Sequence, residues 1–258
     1  MKIISANTNG IRSAAKKGFF NWLSKIDADV ICIQETKAQE HQLGDAVFCP
    51  EGYFCQYHDA VKKGYSGVAI YSKVQPRKVI KGLGWHDIDI EGRYIEFQYK
   101  NLSIISLYMH SGSSSEERQA VKFDFMDRFL PYLQSLRRKR REFIICGDWN
   151  IAHKKIDIKN WRSNQKNSGF LPEERAWLDT LFDEVGYVDS FRVVNQQAEQ
   201  YTWWSNRGQA WANNTGWRID YQVITPKLAP LVTGAEIYKA ERFSDHAPLI
   251  VDYDFELA

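Results

Sequence analysis

The sequence lacks the features that identify several classes of protein. It has only four cysteines among 258 residues (Cys32, Cys49, Cys55 and Cys146), with neither the close spacing of metal ligands nor the pattern of a disulfide framework. No apolar run approaches the length of a transmembrane helix, and Met1 leads directly into a predicted strand instead of a signal peptide. These absences predict a reduced, cytoplasmic enzyme or binding protein with no membrane partner.

Net charge is also small, and motifs for two common chemistries are missing. The chain carries 34 basic and 32 acidic residues, a formal charge of +2, so a nucleic-acid-binding face has to be a local patch. No serine or cysteine motif for acyl transfer and no glycine-rich phosphate loop is present. The chain is instead rich in apolar mass, with 44% hydrophobic residues and nine tryptophans. This composition predicts one α/β domain with a large core, spanning residues 1–258.

Polar side chains follow or precede several apolar runs that are typical of buried strands. The run Phe143–Cys146 leads through Gly147 to Asp148 and Asn150. Because side chains alternate along an extended chain, Asp148 and Asn150 are expected to point the same way, although a capping turn is the simpler interpretation. Three further runs have polar residues at one end, namely Asn7, Gln34-Glu35 and Asp245-His246. Four such endings predict one polar site built from strand termini.

The remaining pattern predicts helices and a mixed sheet. Apolar periodicity predicts one helix over residues 11–26 and a long helix from Ser115 to about Arg137, and Lys100-Asn101 predicts a hairpin. The polar stretch 153–169 is typical of a functional or disordered loop. The basic run 137–141 either contacts phosphates or, as is usual for such runs, is a solvated loop.

These residue types suit metal-assisted hydrolysis of a phosphodiester. Glu35 is the strongest candidate ligand for a hard cation such as Mg²⁺, and His246 with a distant Asp220 suits an imidazole oriented by a carboxylate. Asp148 is a candidate for polarising the attacking water. Each has a purely structural alternative, such as pairing of Asp220 with Arg218, but the set as a whole favours hydrolysis.

Five segments resemble the signature blocks of the exonuclease III family of abasic-site endonucleases, in that family's order and from the first strand to the last. They are residues 7–12 (NTNGIR), 34–37 (QETK), 147–153 (GDWNIAH), 216–221 (GWRIDY) and 244–248 (SDHAP). The resemblance implies a DNase I-like fold, a four-layer α-β-β-α sandwich of two mixed, mostly antiparallel sheets flanked by helices. It is closest to the bacterial branch, which implies association with the nucleoid.

The resemblance also implies an activity and a role for each site residue. The activity is Mg²⁺-dependent hydrolysis, with Mn²⁺ as a substitute, on the 5′ side of abasic sites in duplex DNA, together with activity on blocked 3′ ends, by a monomer. Glu35 is the implied metal carboxylate, with Asn7 and Asp245 beside it. His246 contacts the scissile phosphate and Asp220 orients it. Asp148 is implied to activate the attacking water with the help of Asn150. Tyr108 is implied to support the phosphate.

A second group of residues is predicted to bind the substrate. Apolar pocket walls are expected from Trp203, Trp217 and Ile219, and DNA contacts are expected from Asn164, Asn167, Ser168, Arg12 and Lys37. Two departures from the family pattern stand out. Asn9 replaces an aspartate found in some relatives, and Met109-His110-Ser111 replaces a usual proline and amide. The alternatives are another phosphoesterase of the same superfamily, acting on phosphoinositide, sphingomyelin or nucleotide, and a nucleic-acid-binding relative without catalysis.

Overall fold

Two six-stranded sheets form the centre of the molecule in the computed structural model, which describes residues 1–257. The strands are β1 Lys2–Asn7, β2 Val30–Gln34, β3 Phe54–His58, β4 Val68–Ser72, β5 Lys78–Lys81, β6 Tyr94–Gln98, β7 Leu102–Tyr108, β8 Glu142–Asp148, β9 Val188–Asp189, β10 Trp203–Trp204, β11 Gly216–Trp217, β12 Asp220–Ile224, β13 Val232–Ile237 and β14 Leu249–Tyr253. The α-helices are α1 Ile11–Lys16, α2 Phe19–Ile26, α3 His86–Asp89, α4 Glu116–Arg137, α5 Trp161–Asn164, α6 Pro172–Asp179 and α7 Ser190–Val194.

Both sheets are mixed, as the sequence predicted. One has the order β13-β14-β1-β2-β4-β3 and the other β5-β6-β7-β8-β12-β9, while β10 and β11 form a separate two-stranded ribbon. The pairs β1–β2 and β7–β8 are parallel and the other pairs are antiparallel. The predicted hairpin at Lys100-Asn101 joins β6 to β7. Among the described residues, no helix has both the length and the apolar character needed to cross a membrane.

The central strands are continuous apolar runs because both of their faces are buried. In β8, Ile144 and Cys146 face the core between the sheets, whereas Phe143 and Ile145 pack beneath the helix α4. The same alternation in β1 and β2 divides their side chains between the central core and the helices α1 and α2. Four layers result, with helices outside both sheets, which is the predicted architecture.

Several predicted bounds were wrong. The single helix expected over residues 11–26 is two helices, because Gly18 between them has a φ of 90°. The polar stretch 153–169 is ordered and contains a 3-10 turn, Lys155–Asp157, and the helix α5. Cys32 and Cys146 are buried free thiols. Cys49 and Cys55, in contrast, form a disulfide with their Cα atoms 5.7 Å apart, in a turn that sequence spacing alone did not predict.

Candidate active site

The candidate site lies at the edge where the carboxyl ends of four central strands meet. Because β1 runs parallel to β2, and β7 to β8, each pair ends at one edge of its sheet. These ends carry Asn7, Glu35, Tyr108 and Asp148, and β12 pairs antiparallel with β8 so that Asp220 lies opposite Asp148. A cavity of about 790 Å³ opens over this edge. The predicted site built from strand termini is therefore present as a geometric arrangement.

A buried imidazole lies between two carboxylates in this cavity. His246 Nδ1 is 2.9 Å from Asp220 Oδ2, and its Nε2 is 3.9 Å from Asp148 Oδ2. Burial acts to lower the pKa of His246, but Asp220, Asp148 and Asp245 outweigh it and raise that pKa to about 10. Burial raises the pKa of Asp148, and repulsion from Asp220 adds to the effect. The site thus holds an imidazolium that is oriented by Asp220 and faces a carboxyl group able to exchange a proton near neutral pH.

Asn7 connects the two carboxylates nearest the cavity floor. Its Nδ2 donates to Glu35 Oε1 and to Asp148 Oδ2, at 2.9 Å in each case. Its side-chain Oδ1 accepts a hydrogen bond from the backbone N–H of Asn9 at 2.9 Å. Asn7 was predicted beside the metal, and here its amide nitrogen, not its oxygen, faces Glu35. Its observed contacts make it a bridge that fixes the separation of the two carboxylates.

Lys37 places a positive charge at the rim of the cavity. Its Nζ lies 2.8 Å from Glu35 Oε2 and also donates to the Asn9 side chain. Burial acts to raise the pKa of Glu35, but Lys37, together with the hydrogen bond from Asn7, lowers that pKa overall. The Glu35 carboxylate is therefore charged and available to a cation.

The donor atoms present fit a hard divalent cation. One ligand atom each from Glu35, Asp148 and His246 lies within 4.8 Å of the others. The carboxylate oxygens of Glu35 and Asp148 are ligands of the kind that Mg²⁺ prefers, whereas His246 as an imidazolium has no free lone pair to offer a cation. Asp245, which was predicted beside Glu35 in the metal set, lines the same cavity but accepts hydrogen bonds from Asn9 Nδ2 at 2.9 Å and Trp203 Nε1 at 3.1 Å. The geometric cluster therefore differs from the predicted ligand set, with Glu35 common to both.

Tyr108 is supported from behind by a buried arginine. The Arg93 guanidinium lies 4.7 Å from the Tyr108 ring centroid, donates to the Tyr108 carbonyl oxygen at 3.1 Å and pairs with Glu91 at 2.5 Å. Burial and the nearby Glu35 carboxylate raise the pKa of Tyr108 well above its usual range, although Arg93 opposes them. The hydroxyl therefore keeps its proton and can donate a hydrogen bond into the cavity.

The Asp148–Asn150 segment is both a turn and part of the site. β8 ends at Asp148, and Asn150 adopts a left-handed backbone with a φ of 53°. The Asn150 N–H donates to Asp148 Oδ1 at 2.9 Å, and its Nδ2 donates to the Met109 carbonyl at 2.8 Å. Both side chains line the cavity, through this turn and not through the strand alternation that the sequence predicted.

One wall of the cavity is apolar. Trp203 and Trp217 are partners in the β10–β11 ribbon and pack edge to face, with ring centroids 6.1 Å apart and planes at 85°. Ile219 continues this wall, and Asn167 and Ser168 line the same cavity. With Lys37 at the rim, the structure thus brings together six of the eight predicted substrate-binding residues.

The other predicted contacts lie outside the cavity lining. Asn164 reaches it only indirectly, because its Oδ1 accepts a hydrogen bond from Asn167 Nδ2 at 2.7 Å. Arg12 is exposed on α1. The basic run 137–141 lies at the opposite end of the sheet, since Arg141 donates to the carbonyl of Leu102 at the amino end of β7. That position favours the solvated-loop interpretation of the run.

Sequence reasoning missed part of the cavity lining. The segment 111–115, to which no role in the site was assigned, lines the cavity together with Gln119, Asn9 and Lys166. Ser115 caps α4 by accepting a hydrogen bond from the Arg118 N–H at 3.2 Å. The available signal was the position of this serine-rich segment directly after the strand that carries Tyr108.

Comparisons of the sequence and of the structure with known proteins point to the same group of proteins. The Endonuclease/Exonuclease/phosphatase family matches residues 4–246. An exodeoxyribonuclease of Bacillus subtilis is 41% identical over 251 residues, covering 96% of this chain and 98% of that protein. The DNA repair nuclease APEX1 of Danio rerio is 38% identical over 254 residues, covering 96% of this chain and 81% of that protein. Among solved structures, an AP endonuclease from Archaeoglobus fulgidus has a TM-score of 0.89 at 28% identity, covering 99% of this chain and all of that one.

Proposed function

The chain belongs to the Endonuclease/Exonuclease/phosphatase family, and we propose that it is a DNA-repair AP endonuclease of the exonuclease III type. In this proposal the enzyme hydrolyses the phosphodiester on the 5′ side of an abasic site in duplex DNA and leaves a 3′-hydroxyl. It also removes 3′-phosphates and other 3′ blocks, degrades 3′ ends to some extent, and serves base excision repair as a cytoplasmic monomer. The similar exodeoxyribonuclease and DNA repair nuclease support a metal-dependent nuclease.

One observation carries the proposal, namely that hydrolytic groups and an apolar wall line the same cavity. Asp148 and His246 are the hydrolytic groups, and Trp203, Trp217 and Ile219 form the apolar wall. A phosphodiester bound between them has its charged group at the polar side and a neighbouring sugar against the indoles. Chemistry on a damaged nucleotide requires that nucleotide to leave the base stack, which costs least where the base is already lost. The wall therefore suits a bare deoxyribose.

The side chains divide the work of hydrolysis among them. Asp148 is the group that orients the attacking water and takes its proton, and the Asn150 side chain helps to position it. His246, kept protonated and oriented by Asp220, donates to the phosphate and stabilises the charge that develops there. Tyr108 donates a second hydrogen bond to the phosphate from the opposite side. The raised pKa values of His246 and Tyr108 keep both groups protonated, as hydrogen-bond donors to the phosphate need to be.

Glu35 is the residue proposed to hold a divalent cation, with Asp245 and Asn7 beside it. Mg²⁺ is the proposed ion and Mn²⁺ a substitute, because the donors are oxygen atoms. When bound, the ion supplies positive charge that polarises the phosphate. Lys37 adds a fixed positive charge at the same rim. Around the cavity, Asn164, Asn167, Ser168 and Arg12 are the proposed DNA contacts.

An assay on three end-labelled duplexes tests the proposal. One duplex carries an internal abasic site, one a 3′-phosphate, and one is intact. With Mg²⁺ we expect cleavage 5′ of the abasic site and removal of the 3′-phosphate, and slower loss of nucleotides from the intact end. EDTA should abolish all three reactions and added Mn²⁺ should restore them. Full activity in excess chelator, or no cleavage of the abasic duplex, would refute the proposal.

A further inference from the structure

A fully buried ion pair lies behind the site, outside the cavity lining. Lys122 on α4 and Glu174 on α6 are both 0% exposed, and Lys122 Nζ is 2.5 Å from Glu174 Oε1. Burying two charges removes their hydration, so such a pair is weak evidence for stability in itself. Its contacts point to another role.

Each member of the pair binds the backbone of a different loop of the site. Lys122 Nζ donates to the carbonyl oxygen of Asn150 at 2.8 Å. Glu174 Oε2 accepts hydrogen bonds from the N–H groups of Gly169 at 2.6 Å and Leu171 at 3.0 Å. The first loop carries Asp148 and Asn150, and the second follows Asn167 and Ser168 directly. The ion pair is thus the link between two loops that are about twenty residues apart in the chain.

These two loops also pack closely against each other. The Ala152 N–H donates to the Gly169 carbonyl oxygen at 2.8 Å. A Cβ atom added to Gly169 would lie 3.0 Å from the Trp217 ring and 3.1 Å from the Asn150 carbonyl oxygen. A shift of Gly169 therefore moves against both the apolar wall and the turn that holds Asp148.

We propose that Lys122 and Glu174 are positioning residues, a clamp that holds the Asp148–Asn150 turn in register with the pocket wall at Gly169 and Trp217. The proposal rests on the proposed function, because it assigns the two loops their parts in cleavage of an abasic site. Lys122 fixes the carbonyl of a left-handed residue, and Glu174 fixes the backbone of the opposite loop. Hydrolysis at an abasic site needs both loops at once, whereas removal of a 3′-phosphate depends less on the wall.

Three variants separate positioning from general stability. Lys122→Met alone leaves Glu174 buried without a counter-charge and is expected to lower the Tm by roughly 10 °C. The double variant Lys122→Met/Glu174→Gln removes both charges, keeps an acceptor for Gly169 and Leu171, and should regain most of that loss. Leu133→Ala is the control, since Leu133 is fully buried on the same helix and packs in the core beneath α4. Its cavity should lower the Tm comparably.

Each variant is measured for Tm and for kcat and KM on the abasic and 3′-phosphate duplexes. For the double variant we expect a kcat on the abasic duplex about ten- to a hundred-fold below wild type, because small misplacements of reacting groups have effects of that size. Its KM should stay within a few-fold of wild type, since neither residue lines the cavity. The loss on the 3′-phosphate duplex should be smaller. Leu133→Ala should keep kcat within about two-fold of wild type below its Tm.

Recovery of wild-type kcat by the double variant would overturn the proposal, as would an equal loss of kcat in Leu133→Ala. The activity of the wild-type enzyme in the same assay distinguishes a failure of the proposed function from a failure of the clamp. No wild-type cleavage of the abasic duplex refutes the proposed function, and the clamp with it. Normal wild-type cleavage with an unimpaired double variant refutes the clamp alone.

Discussion

Removal of the Trp217 side chain should relax the discrimination between abasic and intact nucleotides. Trp217 packs edge to face with Trp203 on one side and against Gly169 on the other, and it lines the cavity. In the proposed function, the wall formed by these rings accepts a bare sugar and rejects a sugar that still carries its base. Trp217→Ala opens the wall, so that an intact nucleotide is rejected less strongly.

The expected size follows from the contacts that are lost. An edge-to-face pair contributes about 0.5–1.5 kcal/mol beyond its buried area. One apolar pocket contact changes discrimination by about 1–3 kcal/mol, or roughly 10- to 200-fold. We therefore expect Trp217→Ala to lower the ratio of kcat/KM for the abasic duplex to kcat/KM for the intact duplex by roughly 10- to 200-fold.

The assay compares wild type, Trp217→Ala and Trp211→Ala on the two duplexes under identical salt. Trp211 is the matched control, since it packs against Trp204 with centroids 4.4 Å apart and is absent from the cavity lining. Its loss should leave the ratio unchanged. If Trp217→Ala also leaves the ratio unchanged, Trp217 is not a wall of the pocket and the reasoning fails.

A substitution that narrows the pocket, instead of opening it, tests the same assignment. Ser168 lies beside the segment 111–115 in the cavity lining, and its Oγ would be 2.7 Å from a Cβ added to Gly112. Because the space there is narrow, Ser168→Trp should block entry of the flipped sugar. Internal abasic cleavage should fall while removal of a 3′-phosphate continues. An equal loss of both activities would place the pocket elsewhere.

Three other predictions concern catalysis, DNA binding and pH. His246→Ala and Asp148→Ala should each lower kcat by about a hundred-fold or more, with duplex Kd changed much less, and a variant within a few-fold of wild type would contradict its assigned role. Replacing Lys154 and Lys155 by alanine should reduce the slope of log Kd against log salt by about 1–2, whereas an unchanged slope would exclude their loop from the interface. Burial acts to raise the pKa of Asp157, but the buried Arg218 and the partly buried Arg192 outweigh it and lower that pKa to about 2. Since the ordinary value is 3.8, Asp157 stabilises the fold by about 2 kcal/mol above pH 4 and loses that contribution as the pH falls toward 2. Asp157→Asn should remove this dependence from urea unfolding measured between pH 5 and 3, and an unaltered dependence would contradict it.

The sequence predicted the central strands and the chemistry at their ends because both depend on local pattern. A strand buried on both faces, such as Val30–Gln34, needs an uninterrupted apolar run, and such a run is visible in the sequence. Polar residues directly after it, such as Glu35, have to lie at the sheet edge. The resemblance to a family then assigned roles to these residues, and the family match confirms the resemblance.

The wrong bounds have a different origin. α1 and α2 pack on the same sheet, so the apolar spacing continues across Gly18 although the backbone turns there. Apolar periodicity records which face is buried and is insensitive to such a break. The disulfide between Cys49 and Cys55 depends on the path of the intervening turn, which no residue spacing specifies.

Contacts between distant segments were beyond any local pattern. Lys122 and Glu174 are 52 residues apart, and each in isolation is typical of a solvated helix surface. Only the packing of α4 and α6 around the end of β8 brings both charges into the interior. The position of the segment 111–115 over the cavity was likewise not predictable from local pattern, because it depends on where α4 begins.

The backbone conformation of the site shows why the sequence pattern predicts the types of its reactive groups better than their arrangement in space. Asn9, Glu35, Lys37 and Asn150 all have left-handed conformations, with φ between 43° and 53°. For residues with a Cβ this conformation costs roughly 1–2 kcal/mol each, and neither glutamate nor lysine favours it. Backbone hydrogen bonds from distant segments maintain it, including the one from the Lys37 N–H to the Ser66 carbonyl at 2.8 Å. The carboxylate and ammonium groups therefore reach the cavity only when the folded sheet supplies these hydrogen bonds, and the strain in their backbone is balanced by the core beneath them.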